Sequence, residues 1–219
     1  MTMNPSSAQA PKRRRLHRSV REALLLDAAL AQFVERGFGA SRMEDVASRA
    51  GVAKGTPYLY FSSKEVLLRR VIAQFLCTEI EALERTVLAK VDDGSATDII
   101  CRDVADWWVR MVDSPASAVF KLLVSDVPSI PEIAAFCADE VVGRFERLMA
   151  TVIQAGVTRK QFQPLDVTMM VRALNLPLVM LCIHRHSVEM MKATNLHIDA
   201  RDFIANHIRR VLRDLEPPK

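Results

Sequence analysis

The chain has 219 residues, of which 50% are apolar, 26% charged and only 7 glycine. That balance excludes global disorder and fibrous repeats and leaves one or two folded domains of about 100–200 residues each. The formal charge of +4 is unevenly placed: residues 1–64 hold 11 Lys and Arg against 5 Asp and Glu, and residues 65–219 hold 19 against 21, as expected when one end only meets a polyanion.

Residues 1–18 read as a flexible arm, small and polar from Met1 to Pro11 and then basic at Lys12-Arg13-Arg14-Arg15 and Arg18. It carries no apolar signal core, and no uninterrupted apolar run reaches the roughly 18 residues of a membrane span. A cytoplasmic protein without a membrane partner is expected. Cys77, Cys101, Cys137 and Cys182 lie far apart in apolar segments and read as small buried hydrophobes.

Leu24, Ala28, Ala31 and Val34 recur at helical spacing and predict a first helix over about 20–36, ended by Gly37 and Gly39. Ser41-Arg42-Met43-Glu44 has the pattern of a capping box and opens a second helix over about 42–50, stopped by Gly51. A third helix, about 54–61, is pinned between Gly51 and the next box, Ser62-Ser63-Lys64-Glu65. Pro57 is tolerable there because the first turn of a helix has no use for its missing N–H. Two short helices joined by a tight turn behind a longer support helix outline a helix-turn-helix reader of duplex DNA over 19–64.

Beyond Ser62 the pattern is helix after helix. Apolar stripes predict helices over about 63–90, 95–113 and 115–125, and a box at Ser129-Ile130-Pro131-Glu132 opens one that stops at Gly156. The segment 166–192 is apolar on nearly every side, with Pro177 expected to kink it, and a last helix over 199–215 carries Phe203, Ile204, Ile208, Val211, Leu212 and Leu215. The fold class is therefore all-α, about nine helices: a DNA-reading head followed by a helical body over 65–219.

Phe33-Val34-Glu35-Arg36-Gly37-Phe38, Glu44-Asp45-Val46-Ala47, Ala50-Gly51-Val52, Gly55-Thr56-Pro57-Tyr58-Leu59-Tyr60-Phe61 and Lys64-Glu65-Val66-Leu67-Leu68 stand at one consistent spacing. The stretch Arg21 to Leu68 resembles the DNA-binding domain of the tetracycline-repressor (TetR) family of bacterial regulators, departing from it at Pro57, where the family usually has an aliphatic residue. The resemblance implies a homodimer on a palindromic double-stranded DNA operator, its last two long helices, 166–192 and 199–215, forming a four-helix bundle with the partner. It also implies that Lys54 and Thr56, with Gly55 beside them, lie nearest base edges. Tyr58 and Lys64 would hold phosphates, as would Ser41 and Arg42, and Tyr60 would serve either the groove or the core.

A recognition surface needs donors and small or aromatic side chains over the major groove, and Lys54, Thr56, Tyr58, Tyr60 and Lys64 supply them. In the body, Trp107, Trp108, Met111, Phe120, Phe136, Met149, Asn175 and His184 have the mixture of adaptable, flat and polar side chains that a cavity for a small apolar or amphipathic effector needs. The alternative is a body that only dimerises or docks a protein, its interior filled. Cys182 and His186 share a helix face, but no second pair at ligand spacing accompanies them, so no metal site is expected, nor any cofactor. Catalytic signatures are missing, which argues against an enzyme.

Overall fold

A computed structural model describes residues 18–186, 198–213 and 215. The basic residues 12–15, and the part of the segment 166–192 beyond His186, lie outside that range. The described residues form eight α-helices and no strand. Helix α1 is Arg18–Arg36 and α2 is Met43–Arg49. Helix α3, residues 64–88, runs through a π turn at Ala73–Cys77, and α4, residues 96–113, through another at Ile99–Val104. A 3₁₀ turn at Pro115–Ser117 leads into α5, Ala118–Ser125. Helix α6, residues 131–158, carries a third π turn at Ala138–Gly143. Helices α7, Val167–Arg185, and α8, Ala200–Arg213, complete the chain.

The expected helix over about 54–61 is instead a single 3₁₀ turn at Pro57–Leu59. Proline has no N–H to bond the Ala53 carbonyl, which the Thr56 N–H takes instead at 2.8 Å, so no α ladder forms ahead of Pro57 and only the Phe61 N–H makes an α-type bond, to the Pro57 carbonyl at 2.9 Å. Gly51, at φ +66°, makes the reversal before it, and the Val52 N–H reaches back to the Ala47 carbonyl at 3.0 Å in the manner of a helix C-cap.

The capping boxes also differ from expectation. Arg42, not Ser41, is the N-cap of α2, and its N–H donates to Asp45 Oδ2 at 3.1 Å. Ser63, not Ser62, caps α3 by accepting from the Val66 N–H at 3.2 Å. Ser129 caps nothing and donates to the Asp126 carbonyl at 2.6 Å, because the chain turns once more at Val127–Ser129 before α6 begins. Gly156 does not end α6. It lies within it, and a Cβ there would come within 2.5 Å of the edge of the Phe162 ring, which packs against the helix at that point.

One continuous core joins head and body, with Phe33, Leu67, Leu68, Ile72, Trp108, Met149 and Ile153 all fully buried. By length and composition α7 could cross a membrane, but here it packs on α4, α5, α6 and α8. It remains helical through Pro177. The apolar stripe of α8 is spent on that packing, with Ile204, Ile208, Leu212 and Leu215 buried. The apolar excess left outside is on α7: Met169, Leu176 and Met180 are 65%, 64% and 56% exposed. Of the cysteines, Cys137 and Cys182 are buried, Cys77 is half-buried and Cys101, against expectation, is exposed.

Candidate functional site

Two places in the molecule gather the residues singled out in the sequence. The first is the outer surface of the head. Lys54 and Gly55 are exposed in the loop, Thr56 is half-buried, and the 3₁₀ turn drives Pro57 inward while presenting Tyr58, 51% exposed, and Leu59 beside it. Arg42 is exposed at the start of α2. Tyr60 is half-buried with the Arg18 guanidinium 5.6 Å from its ring centre. Arg18 and Arg21 border a shallow groove with Leu59 and Tyr60, so the N-terminal turn of α1 lies beside this turn. Linear distance hid that neighbourhood.

Two of the expected phosphate ligands are engaged elsewhere. Ser41 is 2% exposed and its hydroxyl donates to the Gly37 carbonyl at 2.7 Å. The Lys64 ammonium donates to the carbonyls of Phe38 and Ser41 at 2.7 and 2.9 Å and lies 4.3 Å from the centre of the Phe38 ring. Both tie the corner between α1 and α2, whose carbonyls have no helical partner.

The second place is a partly open cavity of about 270 Å³ bordered by α3, α4, α5, α6 and α7. Four of the eight expected effector residues line it: Trp107, Trp108, Phe120 and Asn175. The other four do not. Met111 and Met149 are ordinary core at 2% and 0% exposure, Phe136 lies beneath the Arg69 guanidinium on another face, and His184 is outside the cavity. Phe145, absent from the sequence expectation, completes the aromatic wall, its ring centre 5.2 Å from that of Trp107 and 5.6 Å from that of Trp108. Glu146 and Arg172 border the same space and face each other at 3.9 Å.

Two of the lining residues carry a buried polar atom without a bond. Trp107 Nε1 donates to the Glu79 carbonyl at 3.1 Å, but Trp108 Nε1 and Asn175 Oδ1 have no partner among the described residues. Each π turn sits beside this space: Ala73–Cys77 precedes Ile80, Ile99–Val104 precedes the tryptophans, and Ala138–Gly143 contains Val141 and Val142, all of which line it. Such turns widen a helix locally and concentrate at functional sites.

Helix α5 joins the cavity to the end of α1 and the corner that follows it. Phe120, Leu123 and Val124 line the cavity, while Lys121 Nζ reaches the Val34 carbonyl at 3.5 Å and Asp126 Oδ1, just past the helix end, accepts from the Phe38 N–H at 3.0 Å. Cys182 and His186 do not converge on a metal position. Burial pushes the Cys182 thiol up to about 12, and His186 Nε2 bonds Ser117 Oγ at 2.6 Å.

Residues 25–71 match the family described as bacterial regulatory proteins, tetR family. The HTH-type transcriptional regulator YfiR of Bacillus subtilis is 30% identical over 165 residues, covering 72% of this chain and 75% of that protein. The HTH-type transcriptional repressor KstR2 of Rhodococcus jostii is 29% identical over 159 residues, 72% of this chain and 76% of its own. Among solved structures, the transcriptional regulator FadR of Bacillus subtilis in complex with stearoyl-CoA superposes with a TM-score of 0.68 at 17% identity, covering 89% of this chain and 99% of FadR.

Proposed function

The chain belongs to the tetR family of bacterial regulatory proteins, and from that premise we propose a transcriptional repressor that leaves a palindromic operator when a small lipophilic effector fills the tryptophan cavity. Lys54, Gly55 and Thr56 face base edges in the major groove, and Tyr58 and Arg42 hold phosphates. Arg18 and Arg21 carry the basic strip on toward the arm. Their exposure on one side of the head supports these roles. Ser41 and Lys64 are left out, since their polar atoms are committed to the corner of the head. Acting on DNA places the protein in the cytoplasm.

One short turn covers few base edges, so specific affinity requires two heads about 34–36 Å apart. The apolar outer face of α7 supports a homodimer that would supply them. The observation that carries the regulatory half is the double engagement of α5. A ligand entering beside Phe120 displaces the helix next to Lys121 and Asp126, which hold the end of α1 and the corner after it, and so resets the separation of the heads. KstR2 is a named repressor and FadR has been captured with stearoyl-CoA, which supports effector control here. A cavity walled by both tryptophans weighs against a body that only dimerises or docks a protein.

Selection of bound duplexes from a random pool tests this reading. The expected product is a two-fold symmetric site. Tyr58→Phe should bind it about fivefold more weakly, roughly 1 kcal/mol, with the recovered sequence unchanged. Recovery of no symmetric site, or equal binding by a variant carrying Lys54→Ala and Thr56→Ala, would overturn it.

A further inference from the structure

A 3₁₀ turn advances about 120° per residue, so side chains three apart in sequence lie one above the other. Pro57 is buried and Tyr60, one turn on, is half-buried against the core, which leaves Tyr58 and Leu59 as the two side chains that the turn sends outward. The Leu59 N–H donates to the Thr56 carbonyl at 3.1 Å and the Tyr60 N–H to the Pro57 carbonyl at 3.0 Å, which fixes the direction in which each side chain leaves the backbone. Leu59 is 75% exposed, the most of any large apolar side chain among the described residues, and it borders the groove with Arg18 and Arg21. A single exposed leucine is commonplace on an ordinary surface. This one stands beside two guanidinium groups on the face assigned to DNA, and it has no atom that donates or accepts a hydrogen bond. It can neither hold a phosphate nor bond a base edge. The apolar group that the major groove offers is the 5-methyl of thymine.

We propose that Leu59 is a specificity-determining residue that reads a thymine methyl group in each half of the operator, an inference that rests on taking this surface as the DNA face. Side-chain chemistry divides the labour. Lys54 and Thr56 supply polar contacts to base edges, Tyr58 anchors a phosphate, and Leu59 closes on the methyl, expelling the water that covers both in the free molecules. Cytosine carries a hydrogen where thymine carries this methyl, so Leu59 separates T·A from C·G without a hydrogen bond. The brevity of the turn sharpens the assignment, because a single turn sends out no third side chain that could take the same place.

The full-length protein and its Leu59→Ala variant are each used to select duplexes from a random pool. Every thymine of the site recovered by the parent protein is then replaced singly by deoxyuridine, which removes the methyl and leaves the base pair intact. One thymine in each half-site should stand out. Its replacement should weaken binding by the parent protein about three- to fourfold, and about tenfold or more when both half-sites are changed, the worth of one buried methyl in each. The same replacement should change binding by Leu59→Ala less than about 1.5-fold, the two changes forming a cycle that isolates the contact. Duplexes selected by Leu59→Ala should lose the thymine preference at that position alone. Leu59→Met, which keeps an apolar side chain of similar volume, should retain about half or more of the discrimination. Both variants should melt with the parent, since the side chain faces out. Uracil tolerated at every thymine, an equal loss on uracil in Leu59→Ala, or a recovered half-site without thymine overturns the proposal. Equal weakening of all duplexes by Leu59→Ala would make the leucine a contact to sugars and overturns it too. In each of these cases a recovered two-fold site leaves the parent reading standing, whereas recovery of no site ends both.

Discussion

Lys64 looks in sequence like a phosphate ligand and in space like a clasp. Its ammonium bonds two carbonyls of the α1–α2 corner at 2.7 and 2.9 Å over the face of Phe38, and charge-assisted bonds of this kind are the stronger ones. Lys64→Met should therefore lower the stability of the protein by about 1–3 kcal/mol, seen in thermal melts, and leave the slope of log affinity against log salt unchanged. A slope flatter by about one unit with no loss in the melt would return Lys64 to the phosphates. His186 offers a second residue-scale test. Burial, then Arg185 and Lys121, hold its imidazole below its usual 6.5, and it borders a groove with Asp27 and Glu35 of α1. The unfolded chain binds the proton more readily, so stability is full above about pH 6.5, falls as the pH drops below it, and levels off beneath the folded pKa. His186→Gln should flatten that part of the stability profile, measured by denaturant titration at a series of pH values.

At the scale of the element, helical stripes were legible because 3.6-residue periodicity needs only apolar side chains on one face, and Leu24 to Val34 or Phe203 to Leu215 supply them. The three π turns were not. Each inserts a residue into a ladder that sequence spacing treats as uniform, and Phe145, which follows the turn at Ala138–Gly143 and packs on the tryptophans, was passed over while Phe136 and Met149 of the same helix were named. The reading turn was mislaid for another reason: its position follows from Gly51 and Ser63, but its brevity depends on Pro57 lacking an N–H. Of the eight expected effector residues four line the cavity, two are ordinary core and two lie elsewhere, because Met and aromatic side chains serve core and cavity equally well. Gly156 was taken for a helix end when it is a packing site. Gly156→Ala should cost about 1–3 kcal/mol despite the better helix propensity of alanine, since the new methyl meets the edge of the Phe162 ring, itself 2% exposed. A melt at or above that of the parent would show that Phe162 can move aside.

For the whole molecule, the sequence named two helices for pairing but not the side of each that would be used. Leu181 and Leu212 are 7% and 3% exposed and belong to the core of a single chain, whereas Leu176 is 64% exposed between Met169 and Met180. Leu176→Arg should leave the monomer folded, because its side chain already faces out, and should convert a species of about twice the chain mass to one of chain mass in light scattering, with operator affinity falling alongside. A dimer that survives the substitution would place the interface elsewhere.

Leu176 also belongs to the wall of the effector cavity. In the proposed effector-controlled homodimer, a side chain shared in this way would make occupancy of the cavity depend on how much protein is present. Below the dimer dissociation constant that wall would border water, and above it the wall would be backed by a second subunit. Whatever factor pairing adds to effector affinity, the effector adds to pairing, since the two equilibria form a closed cycle. The dose of effector that clears the operator is then a property of the cell as well as of the molecule, shifting with the copy number that the cell maintains.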